Sequence, residues 1–516
     1  MISSYLFSVQ TPGGIAVALL SFTSFWLLVS TFIAWYRLRH IPGPWIASVT
    51  NFWAGWVAIS SQQWEIFMDV DNKYGSLVRI GPDVVLTSDV ELIKRISSTK
   101  SLYPKSRWAD GARFNPYHET LFMITDPNQH DRAKARLAPA YSGRDTPDLE
   151  NAVDRQVTNL VDLIRRKYLS DPASGNFRTL PLINVISYFT LDVISKVALG
   201  TEFGCCASDA DLYNFYNTLA AHMPKLGITT DVPWIRSLLY SKTFLKLFGP
   251  RETDTAGIGL LMKVTNENVR ARYGQEQKGK TDMLLPCHYV QGSFITHGLS
   301  QGKVEAETLF MFVAGSDTTA SAIRFTMFYI MSCPRVYQKL KQEIRMAIRE
   351  GRVSSPITVA QARELPYLQA VMYEGLRMRP VSTGQHAREV PAGGDTINGH
   401  FIPGGTSIAV NFSAVLRSRA LFGEDAAVFR PERFIGLTEP ELAEMRRNVE
   451  LNFGYGRYMC AGKPLALMEM HKVYFELLRA FDFQLIEPLK PMRYESYTTW
   501  RDYGLEVRAT AAEDMQ

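Results

Sequence analysis

A chain of 516 residues, 46% hydrophobic and 21% charged, is globular by composition and long enough for two or three average domains or one large one. Its five cysteines, Cys205, Cys206, Cys287, Cys333 and Cys460, are odd in number and include an adjacent pair. That excludes a disulfide scaffold and points to a reducing compartment, where a thiol is free for metal. The net charge of +5 is mild and suits an acidic partner or an anionic membrane surface as well as ordinary surface variation.

The first charged side chain is Arg37, and residues 15–36 form an unbroken uncharged stretch long enough to cross a hydrocarbon core as a helix. A cleaved signal peptide fits poorly: there is no basic leading segment, the apolar run is too long, and no small-residue cleavage site precedes Arg37. Arg37 and Arg39, with His40, follow at once, which places the rest of the chain in the cytosol, and Trp35 and Tyr36 sit where an interfacial aromatic belt belongs. The reading is a retained anchor over residues 1–36, a hinge over 37–45 and one catalytic domain over 46–516. The hinge is stiff because Pro42 and Pro44 fix their own φ and bias their predecessors away from helix.

Strand patterns are few: residues 77–87, turning at Gly81-Pro82-Asp83, and residues 395–411, turning at Pro403-Gly404-Gly405. Helical spacing dominates elsewhere, as over residues 182–199 and over 365–378 with Pro366 in the first turn. The apolar run 309–331 holds Asp317 and Arg324, and a mid-bilayer charge costs roughly 3 kcal/mol, so a central core helix ended by Cys333-Pro334 is expected. Within it, Ala314-Gly315-Ser316-Asp317-Thr318-Thr319 reads by itself as a kink whose hydroxyls satisfy local carbonyls. Glu374 and Arg377 stand three apart on one helix face, either as a solvated pair or, because Tyr367 and Ala370 flank them, as a covered one. The fold class is mainly α with a small β portion.

The segment Phe453-Gly454-Tyr455-Gly456-Arg457-Tyr458-Met459-Cys460-Ala461-Gly462 has glycines that permit a tight turn and close approach to a flat ligand, with an apolar helix behind it. Backbone N–H groups at such a helix start stabilise a thiolate. No Cys or His stands nearby at zinc spacing.

These residues resemble the cysteine loop of the cytochrome P-450 family, whose pattern is Phe, two residues, Gly, one, Arg, one, Cys, one, Gly. Phe453, Gly456, Cys460 and Gly462 match; Tyr458 stands in the arginine position, and Arg457 is one residue early. That substitution is similar to one among fungal members that resemble pisatin demethylase. The resemblance extends from about residue 42 to about 510 and implies a helical body around a buried heme b (iron protoporphyrin IX), with Cys460 as the axial ligand of the iron. It implies that Asp317 and Thr318 deliver protons to bound dioxygen, with Ala314 and Gly315 leaving room over the iron. Glu374, Arg377 and Arg433, the last in Phe429-Arg430-Pro431-Glu432-Arg433-Phe434, correspond to a structural cluster bracing the cysteine loop. His130 and Lys134, the latter in place of the usual arginine, together with Arg388 and Tyr458, correspond to residues that face the heme propionates.

The implied function is a monooxygenase that inserts one atom of O2 into a lipophilic small molecule. The pocket would draw on residues 103–122, 213–240 and 381–385, on Phe310, Val313 and Ala314, and on 497–499; terpenoids, polyketides or prenylated alkaloids of fungal secondary metabolism would suit it. Residues 393–405 are rich in glycine but lack the spacing of a nucleotide fingerprint. Electrons are therefore expected from NADPH through a separate membrane-bound NADPH-cytochrome reductase, with cytochrome b5 as a further donor and no nucleic acid among the partners. The expected place is the endoplasmic reticulum membrane, single-pass, with the body cytosolic despite the Asn411-Phe412-Ser413 glycosylation triplet. The rivals are a reductase-independent isomerase or dehydratase, against which the intact Asp317-Thr318 pair argues, and a non-catalytic heme sensor.

Overall fold

Uncharged up to its last residue, Arg37, and predominantly apolar, residues 12–37 form one helix, α1 (Pro12–Arg37), in which no residue is buried. Its 26 residues have a mean hydropathy of 2.0 and are long and apolar enough to cross a membrane. The structure, a computed structural model, describes residues 12–276, 289–490 and 492–512; Cys287 and the outer parts of the expected anchor and catalytic segments, 1–11 and 513–516, lie outside them.

The segment after α1 is strapped down. Arg79, almost wholly buried, donates to the carbonyls of Ala34 (2.8 Å) and Trp35 (3.0 Å), closing the C-terminal end of α1. Leu38 and Ile41 pack into the apolar cluster beneath the main sheet. A Cβ on Gly43 would lie 2.1 Å from the Arg79 carbonyl oxygen, so only glycine admits this approach.

That sheet has β1 (Leu77–Arg79), β2 (Val84–Thr87), β3 (Arg388–Glu389) and β4 (Ser407–Val410) in the order β1-β2-β4-β3. β2 and β4 run parallel with Val85 opposite Ile408, and the other pairs are antiparallel. The turn at Gly81-Pro82-Asp83 falls where expected. The second region differs from expectation, because an extra hairpin, Asp395–Ile397 with His400–Ile402, precedes β4. It turns at Asn398-Gly399, both at positive φ (49° and 79°), the dipeptide that such tight turns select.

The helical body comprises α2 (Pro127–Tyr141), α3 (Leu149–Leu163), α4 (Leu182–Leu199), α5 (Phe215–Asp231), α6 (Gly257–Glu276), α7 (Gln301–Ser332), α8 (Pro366–Met378) and α9 (Lys463–Ala480). α7 runs through the centre, packed on α4, α6, α8 and α9. α4 is mostly apolar because it is mostly covered, 83% of it being buried, the signature of a core helix. A small hairpin, β5 (Arg493–Ser496) with β6 (Trp500–Tyr503), closes the C-terminal side.

Candidate active site

Cys460 sits in the loop between a short helical turn, Gly456–Tyr458, and α9. The Cys460 N–H donates to the Phe453 carbonyl at 2.7 Å, which closes the loop. Gly454 and Gly456 are at φ 78° and 57°, and a Cβ on Gly456 would lie 2.4 Å from the Ser97 carbonyl oxygen. Cys460 borders a cavity whose wall also includes Lys134, Tyr141 and Lys463. Burial raises its pKa, while the backbone N–H groups of Gly462 and Lys463 and the charges of Lys134 and Lys463 pull it down. A sulfur held at a helix start among cations, with no group of three His, Cys, Asp or Glu placed to hold a metal ion among the described residues, suits a single bond to a metal that supplies the remaining positive charge.

Tyr458, His130, Lys134 and Arg388 come together as expected, and a residue missed in the sequence joins them. Lys105 pairs with Arg388 through an isolated β-bridge, so the two cations stand side by side. The Arg388 guanidinium lies 4.2 Å and the Lys105 ammonium 5.1 Å from the Tyr458 ring centroid, and the His130 ring meets the same ring edge-on at 4.9 Å. Lys105 donates to the Phe122 carbonyl at 2.6 Å, and Lys134 to the Arg457 carbonyl at 2.7 Å. Among the described residues, the Tyr458 hydroxyl and the Arg388 Nε are buried without a hydrogen-bond partner. Burial and the charges of Arg388 and Lys134 depress Lys105 strongly; burial alone takes Arg388 down to about 10, and burial with the charge of Lys105 takes His130 down to about 4. Buried cations and an orphaned hydroxyl, with no carboxylate among the described residues salt-bridged to Lys105 or Arg388, are a site for an anion from outside the chain, and a pair of carboxylates such as the heme propionates fits it. Arg457 takes no part: it pairs with Asp131 (3.0 Å) and caps the carbonyls of Thr99 and Ser101.

On α7, the stretch from Val304 to Met327 is buried except at Phe310, Ala314, Gly315, Asp317 and Thr318, which share an inner accessible face. The Thr318 hydroxyl donates to the Ala314 carbonyl at 2.7 Å and that of Ser316 to Phe312 at 2.6 Å, so the local hydroxyl–carbonyl bonds expected of a bare kink are present. Asp317 is different, because burial pushes it up to about 6 although Arg324 lies within 3.6 Å. Gly315 has a reason other than clearance over the iron: its Cβ would lie 2.8 Å from Ile194 Cδ1 of α4, so the glycine serves close helix packing.

Glu374 accepts two bonds from Arg377, at 2.7 and 2.8 Å, and two from Arg433 Nε, both at 3.0 Å. All three are buried, which removes the solvated-pair alternative, and the remaining guanidinium N–H groups reach carbonyls of Leu416, Ala426, Asp425 and Val428. The cluster ties α8 to the segment ahead of the cysteine loop. Asn452, which donates to the Leu376 carbonyl and accepts from the Val381 N–H, ties that loop to α8 directly.

The family model for cytochrome P450 matches residues 42–499. Among curated relatives, a cytochrome P450 monooxygenase, aba1, of Botryotinia fuckeliana (strain B05.10) is 48% identical over 93% of this chain and 93% of its own. The cytochrome P450 monooxygenase abl1 of Leptosphaeria maculans is 42% identical over 92% and 83%, and ABA1 of Pyricularia oryzae (strain 70-15 / ATCC MYA-4617 / FGSC 8958) is 40% identical over 95% and 96%. The chain therefore belongs to the cytochrome P450 family, as a heme-thiolate monooxygenase that draws its electrons from a redox partner.

Proposed function

We propose that this monooxygenase oxidises a lipophilic small molecule of secondary metabolism, with Cys460 as the iron ligand and Asp317 and Thr318 moving protons. The balance is one substrate C–H, one O2, one NADPH and one proton giving C–OH, water and NADP+. When bound, the heme supplies dioxygen reduction and C–H oxidation, which a thiolate ligand promotes. The chain's residues do the rest. Lys105, Arg388, Lys134, His130 and Tyr458 hold the anionic edge; the loop hydrogen bonds keep the Cys460 sulfur aimed; the Asp317 carboxyl, near neutral in its titration, gives and regains a proton beside the Thr318 hydroxyl.

The orphaned donors around Tyr458, above a cysteine at the start of α9, are the observation that carries this reading. The substrate class rests on aromatic surface: Trp108, Phe122, Phe310 and His386 form a chain of ring contacts between 4.9 and 6.5 Å. Burial takes His386 down to about 3, so its imidazole is neutral there, and a neutral lipophilic substrate fits best.

For the electron donor we infer a membrane-bound NADPH reductase, with cytochrome b5 as a second donor. A cavity of about 620 Å³ reaches Cys460, with Lys134, Arg363, Arg446 and Lys463 in its wall, which suits an acidic protein face. For location we infer a single-pass anchor in the endoplasmic reticulum membrane, body cytosolic, with α1 spanning. Exposed Trp45, Phe52, Trp56 and Trp234 add apolar surface near it. Cys460→Ala is the test: it abolishes the carbon monoxide difference band of the ferrous thiolate-ligated protein, and a retained band sinks the ligand assignment.

A further inference from the structure

Behind the inner face of α7 lies a charge cluster that the reaction as described does not use. Arg324 stands two helical turns after Asp317, and helical side chains lean toward the N-terminus, so its guanidinium reaches back along the same face. Its Nη2 is 3.6 Å from Asp317 Oδ1 and 3.5 Å from Asp502 Oδ2 on β6, while its Nη1 donates to the Ser187 hydroxyl of α4 at 3.1 Å. Arg324 and Asp502 are buried, and Asp502 Oδ2 and Arg324 Nε have no hydrogen-bond partner among the described residues. The other Asp502 oxygen is taken by Arg379, which follows α8 and lies 3.8 Å over the Trp500 ring and 4.1 Å over the Phe325 ring. The Tyr216 hydroxyl of α5 approaches from the far side, donating to the Ser187 carbonyl at 2.5 Å.

We propose that Arg324 is the positioning residue of the proton path: one buried guanidinium shared almost equally between Asp317 and Asp502, so that the Asp502–Arg379 pair sets how firmly Asp317 is held ionised. Two arginines and two carboxylates balance in charge, and a buried cation between two anions is bistable at little cost. Leaning toward Asp317, Arg324 holds that carboxylate charged; leaning toward Asp502, it releases Asp317 to take a proton from the inner face. The groups facing Asp317 agree in sign, since Arg324 and Arg379 pull its pKa down and Asp502 pushes it up, burial being the largest influence. Asp317 and Arg324 in turn act on Tyr216 in opposite directions. The inference rests on the proton-delivery reading of Asp317, and its test separates the two.

The experiment is an infrared titration of the protonated carboxyl of Asp317 in the full-length holoprotein, the band being identified by its loss in Asp317→Asn. The native midpoint is expected near about 6. Asp502→Asn lowers it by about one pH unit, because Arg324 then serves Asp317 alone, and Arg379→Gln raises it by a similar amount, because Asp502 then claims Arg324. Arg324→Gln raises it further, and Arg324→Lys, which keeps the charge, brings it back toward the native value. A retained carbon monoxide band shows that each variant is folded. Midpoints that do not move in opposite directions for Asp502→Asn and Arg379→Gln overturn the proposal, as does a lysine variant that titrates like the glutamine one. The proton-delivery reading is checked apart from this, by the hydrogen peroxide released per NADPH consumed in air with a purified NADPH-cytochrome reductase and no organic substrate. Asp317→Asn drives that ratio toward one; an unchanged ratio beside shifted midpoints overturns proton delivery and leaves the charge sharing intact.

Discussion

The Arg388 guanidinium carbon lies over the Tyr458 ring, 4.2 Å from its centroid, while the hydroxyl of that ring is buried with no hydrogen-bond partner among the described residues. A tyrosine in an arginine position thus keeps a donor at the anionic edge and gains a cation stacked on its face, with Lys105 supplying a further charge nearby.

Removing these donors should therefore loosen the heme in proportion to charge. Lys105→Met and Arg388→Met each take away a charged hydrogen bond worth roughly 1.5–3 kcal/mol, which speeds heme loss about 10- to 100-fold. Tyr458→Phe takes away a neutral one and speeds it by about tenfold at most. Heme transfer to excess apomyoglobin gives the rates. Equal rates for Tyr458→Phe and Lys105→Met would contradict this division of labour.

The Glu374 cluster is buried and fully bonded, so breaking it leaves charges without partners. Arg433→Ala should cost about 3–5 kcal/mol, read as a lower midpoint in urea followed by heme absorbance. A variant within about 1 kcal/mol of native would place Arg433 among ordinary surface ion pairs.

Gly315→Ala forces a methyl toward Ile194 and should destabilise the fold by about 1–3 kcal/mol. Ile194→Val in the same chain recovers part of that loss if contact with α4 is the cause. Thermal melts of the two single variants and the double variant measure the coupling; a zero coupling term returns Gly315 to a role over the iron.

Glu307 is buried on α7, accepts the Leu121 N–H at 2.5 Å, and is pushed by burial up to about 7 from 4.5. Its folded pKa lies above its unfolded one, so the folded state binds more protons between those values and stability falls as pH rises from about 4.5 to about 7. Glu307→Gln keeps the acceptor oxygen and removes the ionisation. The melting temperature of the native protein, relative to this variant, should drop across that window and level off above it; a flat difference rules the ionisation out.

What could be read from the chain was whatever is local. The cysteine loop announces itself through Gly454, Gly456 and Gly462 around one thiol, and Asp317 with Arg324 inside an apolar run was enough to tell a core helix from a membrane span. Lys105 was not legible, because its meaning comes from a bridge to Arg388, far away in the chain, in a segment otherwise read as apolar pocket wall. Ile194 as the reason for Gly315, and Asp502 as the second holder of Arg324, are likewise contacts between distant segments. The Asn398-Gly399 turn is the exception: it was local and visible, but the turn at Pro403-Gly404-Gly405 just after it, which also forms, was the one that was read.

Arg79 closes the end of α1 from within the body, a hydrogen-bonded joint between helix and body. With α1 upright in a bilayer, the height and tilt of the cavity near Cys460 are properties of the fold and need no search. An electron donor tethered to the same bilayer, as inferred above, would then have to find only two coordinates of lateral position and one of spin about the membrane normal, where two free proteins must find six. The buried arginine beneath the anchor is, in that sense, a contribution to the rate of electron supply made far from any electron.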